Sequence, residues 1–212
     1  MHPERPSSDR LEFLMVGEPA SLQAASEKKR RLTELVQTEL GAAQYLLTGE
    51  VSVVIEWTVN PHLRYETLIA PDVDNIIKSI IDALSGPAGI LVNDCQVQHV
   101  ASSWIDTSTD EQRLRVEIRH SPDEWMPKDG LAFVLLSGRL CWPIHLNMNP
   151  EWVAATLSQL ESMLRLFEDS VARGIPRDVA HLVLPAQQPF HSGRLGGFSV
   201  LTPSDIRQRL GI

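Results

Sequence analysis

Two cysteines, Cys95 and Cys141, are all that the 212 residues contain, and they stand far apart. Such a pair builds no disulfide framework and offers no metal-ligand spacing, which suits a reducing compartment. Long apolar runs are missing too: no window approaches the roughly 20 residues that cross a bilayer as a helix. The N-terminus, MHPERPSSDR, is polar and has no signal-peptide core, so a cytoplasmic protein is expected, with residues 1 to 9 as a disordered leader. There is no glycine-rich phosphate loop, no nucleophile elbow and no internal repeat. His145, His181 and His191 fit no recognised ligand spacing and read as surface histidines. Positive charge is scarce, with 19 Lys and Arg against 27 Asp and Glu, a net charge of −8.

What is present is a 43% hydrophobic content, enough for one full core and a modest second unit. The acids concentrate early: 11 basic face 18 acidic residues up to His120, and 8 face 9 beyond it. The chain is organised around PDVDNIIKSIIDALSGPAGILVNDCQ, from Pro71 to Gln96. Ile76, Ile77, Ile80, Ile81 and Leu84 follow one face of a helix, with Asp74 as its expected N-cap and Ser85-Gly86-Pro87 as its stop. Asp72 lies two residues upstream, in an extended approach held by Pro71, and points its carboxylate the same way. Lys78 falls one turn after Asp74 and Asp82 one turn after that. Gly89-Ile90-Leu91-Val92 reads as a short buried strand that returns Asn93-Asp94 to the helix start.

Three crowded carboxylates raise each other's pKa unless a hard divalent cation neutralises them. Mg²⁺ or Mn²⁺ held by Asp72, Asp74 and Asp94 would bind a phosphate oxygen and orient water for in-line attack, with Lys78 offsetting the developing charge. Taken singly, Asp74 reads as a cap and Asp94 as a turn residue. Asp82 reads as a solvated partner of Lys78, worth about 0.3 to 0.5 kcal/mol. Glu56 is a weaker ligand candidate than the three aspartates.

The set Pro71-Asp72-Val73-Asp74-Asn75, Lys78, Asp82-Ala83-Leu84 and Asn93-Asp94-Cys95-Gln96 resembles the signature of the RusA family of Holliday junction resolvases. The resemblance implies a small mixed α/β dimer that cuts four-way DNA junctions with Mg²⁺. Asp72, Asp74 and Asp94 would be its metal-binding aspartates and Lys78 its essential lysine. The chain departs from the pattern in three places. Asn93 stands where the family commonly has an acid, the strand after Gln96 lacks a basic residue, and no Arg or Lys directly precedes Pro71.

A nucleic-acid binder normally shows a basic face, since phosphate contacts supply most of the affinity. The basic cluster here is Lys28-Lys29-Arg30-Arg31, on a helix expected between Ser21 and Gly41; it reads either as a DNA-contacting patch or as a solvated helix face. Arg64, in the loop that leads to Pro71, is a second phosphate-contact candidate, and His62 beside it a surface histidine.

Strands are expected at residues 11–16, 49–60, 97–105 and 114–118, giving an α+β fold, a mixed β-sheet with covering helices, over residues 10 to 120. Residues 121 to 212 form a second region, a hairpin around Ser137-Gly138-Arg139 plus helices, mostly helical and available to a protein partner. Its long helix runs from Pro150 to Arg173, and Thr202-Pro203-Ser204-Asp205 starts a short final one. The expected protein is a Mg²⁺-dependent endodeoxyribonuclease acting as a homodimer on branched DNA. The alternative is a RusA-like interaction protein or nuclease subunit that works through a partner, with weak junction cleavage or none.

Overall fold

The structure, a computed structural model, describes residues 6–21, 23–41, 43–68, 70 and 72–212. The first five residues of the expected leader, and Pro71, lie outside these. The chain divides into two compact units, residues 1–125 and 126–212.

The first unit contains strand β1 (Arg10–Val16), helix α1 (Ser26–Glu39), β2 (Tyr45–Leu47), β3 (Val51–Val59), α2 (Pro61–Tyr65), α3 (Val73–Leu84), a 3-10 turn at Asp94–Gln96, β4 (Val97–Asp106) and β5 (Arg113–His120). Period-two alternation makes β3 the centre of its sheet: Val51, Val53, Ile55, Trp57 and Val59 are buried while Ser52, Val54, Glu56 and Thr58 are half-buried. The strand order is β1-β5-β3-β4, with β3 parallel to β4 and the other pairs antiparallel. A parallel pair needs a long crossover, and α2 and α3 supply it. The buried face of β3 packs with Leu32, Val36 and Leu40 around α1 and with Ile76, Ile80 and Leu84 of α3. Each such side chain contributes about 1.5–3 kcal/mol on burial.

The opposite face of the sheet is charged but balanced. Arg115 donates to Glu12 (2.7 Å), Glu56 (2.7 Å) and Glu117 (2.9 Å), and Arg119 and Arg10 also pair with Glu117. The Arg115 guanidinium, with help from Arg10, holds the Glu12 carboxyl down to about 2. Arg113, on the same face, pairs with Glu111 (2.9 Å), so among the described residues every arginine of this face already has a carboxylate partner.

β6 (Trp125–Pro127) lies across the division between the units. The second unit holds the expected hairpin as β7 (Leu131–Ser137) and β8 (Leu140–His145), turning at Gly138 with φ 55°. It continues through α4 (Pro150–Ala172), α5 (Arg177–Ala180), β9 (Phe190–His191), β10 (Val200–Leu201) and α6 (Pro203–Leu210). Its sheet order is β10-β7-β8-β9, and α4 buries Val153, Leu157, Leu160, Leu164 and Phe167 in its own core. Asn149 caps α4, and Thr202 with Asp205 forms a reciprocal capping box on α6. Both units are α+β, the first a mixed sheet covered by helices and the second carrying the longest helix of the chain.

Among the described residues no helix is long and apolar enough to cross a membrane.

Candidate active site

Helix α3 forms because Ile76, Ile80, Ile81, Ala83 and Leu84 recur at helical spacing and bury one face. The same period leaves Asp74, Lys78 and Asp82 exposed in successive turns. Its N-cap is Asp72, with extended φ −62° and ψ 149°, and not Asp74 as the apolar pattern suggests. The helix takes in Val73 and Asp74 before the apolar set begins, and an acid in the first turn suits the positive end of the helix dipole. Asp72 does not use its carboxylate as a cap, although an N-cap aspartate ordinarily accepts from the first turn. Among the described residues neither Asp72 nor Asp74 has a side-chain hydrogen bond or ion pair. Two unpartnered carboxylates therefore open the helix.

The segment after α3 is not the expected strand. Ile90, Leu91 and Val92 are buried, yet they pair only through isolated bridges from Leu91 to Leu47 and to Ser85. Their backbone instead closes the end of α3: the Ile90 and Leu91 amides both donate to the Leu84 carbonyl (2.8 and 3.0 Å). A Cβ on Gly89 would fall 2.1 Å from that same oxygen, so only glycine fits the close approach.

Asp94 follows in the 3-10 turn, capped reciprocally by Asn93 and Gln96. Gln96 is only 5% exposed and every polar atom of its side chain is used. Its Oε1 accepts from the Val92 and Asn93 amides (2.7 and 3.1 Å), and its Nε2 donates to the carbonyls of Leu47 and Gly49 (2.9 and 2.8 Å). The turn that carries Asp94 is thereby fastened to the β2–β3 connection. Gln96 stands in the sequence motif, but its burial and its partners 47 and 49 residues away leave no trace in one sequence.

Lys78 connects the two pieces. Its ammonium pairs with Asp82 and lies 3.3 Å from Asp94 Oδ2, and these carboxylates, Asp82 first, hold its pKa above the ordinary lysine value. Asp94 thus meets α3 through the Lys78 ammonium, one turn after Asp74. Among the described residues no three His, Cys, Asp or Glu side chains are grouped so as to hold one metal ion. The donor chemistry still suits a hard cation: all three aspartates offer oxygen, two of them have no partner, and Lys78 shields the third from its neighbours. Glu56 is excluded, since it projects from the opposite face of the sheet from α3 and is held by Arg115.

Three members of the basic cluster are already paired: Lys28 with Glu18 (3.2 Å), Arg30 with Glu27 (2.9 Å) and Glu34, and Arg31 with Glu27 (3.1 Å). Lys29 has no such partner among the described residues. Arg64 lies with its guanidinium 3.8 Å above the Trp104 ring and 4.7 Å from that of Tyr65, 3.5 Å from Asp106. The strand after Gln96 has no basic residue of its own in its first part, and Arg64 brings a cation over it from α2. The exposed His62 pairs with Glu66 (2.9 Å), while His145, with the Asp129 carbonyl, and His191, with the Gly193 amide, have separate partners.

No curated protein matches the chain. Residues 6–119, which contain β1 through β4, β5 up to its last residue, and every aspartate and lysine of the motif, match the family described as Endodeoxyribonuclease RusA. With more than half of its length matched, the chain belongs to the RusA endodeoxyribonuclease family.

Proposed function

We propose that this protein is a Mg²⁺-dependent, structure-selective endodeoxyribonuclease that resolves Holliday junctions or other branched DNA in recombination and repair, acting as a homodimer. The observation that carries the reading is the pair of carboxylates, Asp72 and Asp74, without side-chain partners among the described residues, at the start of a helix whose next turn holds Lys78 against Asp94. A bound Mg²⁺, with Mn²⁺ as a substitute, would be held by Asp72, Asp74 and Asp94 and would supply Lewis-acid polarisation of the scissile phosphate. Lys78 offers its ammonium to the phosphoryl oxygens as charge accumulates there. Gln96 fastens the Asp94 turn to the β2–β3 connection, which favours a positioned ligand over a mobile one. A two-fold dimer would present two such sites to opposing strands of one junction.

The net charge of −8 favours a second reading, in which the first unit is brought to DNA by a protein that binds within residues 121 to 212. Cleavage of a synthetic four-way junction at low salt, with Mg²⁺ or Mn²⁺ and with EDTA as control, separates the two. Metal-dependent paired incisions by the chain alone support the first. Incision that needs a partner, and is lost when residues 126–212 are removed only in that partner's presence, supports the second.

A further inference from the structure

A pocket of about 420 Å³ opens beside Asp72 and Asn75, with Trp104 of β4, Arg64 of α2, and Ser21 and Gln23 from the segment before α1 completing its polar wall. Its size falls within the range of small-ligand sites. The wall holds more hydrogen-bonding capacity than the fold uses. Among the described residues the side-chain amides of Gln23 and Asn75 make no hydrogen bond, and Arg64 Nε and Trp104 Nε1 are buried with no acceptor. Each buried donor left without a partner costs free energy that an incoming acceptor would recover. The guanidinium itself is held in place: its Cζ lies 3.8 Å from the Trp104 ring centre and 4.7 Å from that of Tyr65, with Asp106 at 3.5 Å, and Trp57 meets Trp104 in a T-shaped contact at 5.9 Å.

We infer that this pocket is a recognition subsite for a single unstacked nucleotide of the DNA strand, next to the phosphate cut at Asp72. Arg64 takes the phosphodiester of that nucleotide, because a guanidinium is a planar fork of N–H donors suited to a phosphate, and its Nε is without an acceptor among the described residues. Gln23 and Asn75 take the base edge, because an amide offers a donor and an acceptor side by side and so distinguishes one base from another. Thr67, Leu68 and Ala70 supply the less polar side of the pocket, against which a flat base rests. An enzyme that acts at a branch point meets nucleotides already freed from stacking, so the cost of turning one into the pocket is small. The inference rests on the endonuclease reading for the position of the cut, and on the pocket alone for the binding of a nucleotide.

The test uses the full-length protein and a four-way junction whose base pairs around the crossover are randomised, with the cut ends sequenced. Wild type should show one position near the cut where the best and worst bases differ roughly 5- to 150-fold, the discrimination of an amide reading a base edge. Gln23→Ala and Asn75→Ala should bring that ratio towards one at the same position. Arg64→Ala should slow the cutting of all sequences alike. Absence of any bias, or a bias unchanged in both amide variants, overturns the subsite while leaving the nuclease intact. If no junction is cut, the second arm decides: binding of mixed-sequence eight-nucleotide single strands in EDTA, read by anisotropy. Binding that weakens at least threefold in Gln23→Ala and in Arg64→Ala keeps the nucleotide site without the nuclease. No binding, or binding that both variants retain, removes it. Thermal unfolding of each variant confirms that it is folded.

Discussion

Lys78 Nζ lies 3.3 Å from Asp94 Oδ2, joining the exposed face of α3 to the turn that leads into β4. The contact spans two elements that the chain separates by the whole end of the helix and its closing loop. It brings one carboxylate of the motif to the motif lysine while Asp72 and Asp74 stay open at the helix start. Charge is thus paired on one side of the site and unpaired on the other.

Replacing either unpaired acid tests the ion directly. Asp72→Asn and Asp74→Asn should each lower junction cleavage by at least about a hundredfold, as expected for loss of a ligand to a catalytic cation. Because neither carboxylate has a side-chain partner among the described residues, the thermal midpoint should change little, with Asp74→Asn giving up only the attraction of an acid to the helix N-terminus, about 0.3–1 kcal/mol. Asp94→Asn should lose activity similarly, and Mn²⁺ binding followed by calorimetry should weaken in all three. Full activity in any one variant removes that residue from the site.

Lys78 sets a pH signature. Its folded-state pKa is raised above 10.5, first by Asp82 and then by Asp94. The stability its ion pairs contribute is therefore whole below 10.5 and is lost as pH climbs through the higher folded value. The difference in thermal midpoint between wild type and Lys78→Met should stay constant from about pH 7 to about pH 10 and close only above that. Cleavage by Lys78→Met should fall roughly 10²- to 10³-fold at neutral pH if the ammonium faces the reacting phosphate. A variant that loses stability but keeps its rate restricts Lys78 to holding Asp94.

Gln96→Leu keeps the volume and deletes four hydrogen bonds. Two buried carbonyls and two amides lose their partner, at roughly 1–3 kcal/mol for each group left unsatisfied, so the unfolding free energy should drop by several kcal/mol. Gln96→Glu retains the acceptor and turns a carboxylate towards the Leu47 and Gly49 carbonyls, and it should be nearly as damaging. Urea unfolding of both variants measures this; a loss under about 1 kcal/mol for each would deny Gln96 its role as a fastening.

Gly89→Ala tests the closure of α3. The new methyl would meet the Leu84 carbonyl, which is backbone and cannot step aside, so the loop has to move. A loss of about 1–3 kcal/mol is expected, as for other forced overpacking. Gly86→Ala is a different case, since its φ of 95° strains any side chain although the space around it is open. Comparing the two by thermal unfolding separates steric collision from backbone strain.

Glu27 ties up two members of the basic cluster, Arg30 and Arg31, and the first of these does most to hold its carboxyl below the usual range. Glu27→Gln should tighten binding to branched DNA several-fold at low salt if α1 touches phosphate, and the gain should vanish as salt screens it. Affinity unchanged at every salt concentration marks the cluster as a solvated helix face.

The sequence by itself determined the elements. Alternation in Val51–Val59 and the spacing of the isoleucines from Ile76 specify strand and helix because side chains that share a face must be apolar together. The motif likewise fixed which acids and which lysine to watch, since α3 sets Asp74, Lys78 and Asp82 in successive turns whatever else surrounds them. Only the tertiary structure decided where Asp94 meets the helix, that Glu56 faces away, that Gln96 is a buried fastening, and that Arg64 lies on Trp104. Each of these depends on residues brought together by the pairing of β3 with β4 and β5 and by the closure of α3 on Leu84. One chain read in order carries no record of such meetings, because the forces that make them act through space and not along the backbone.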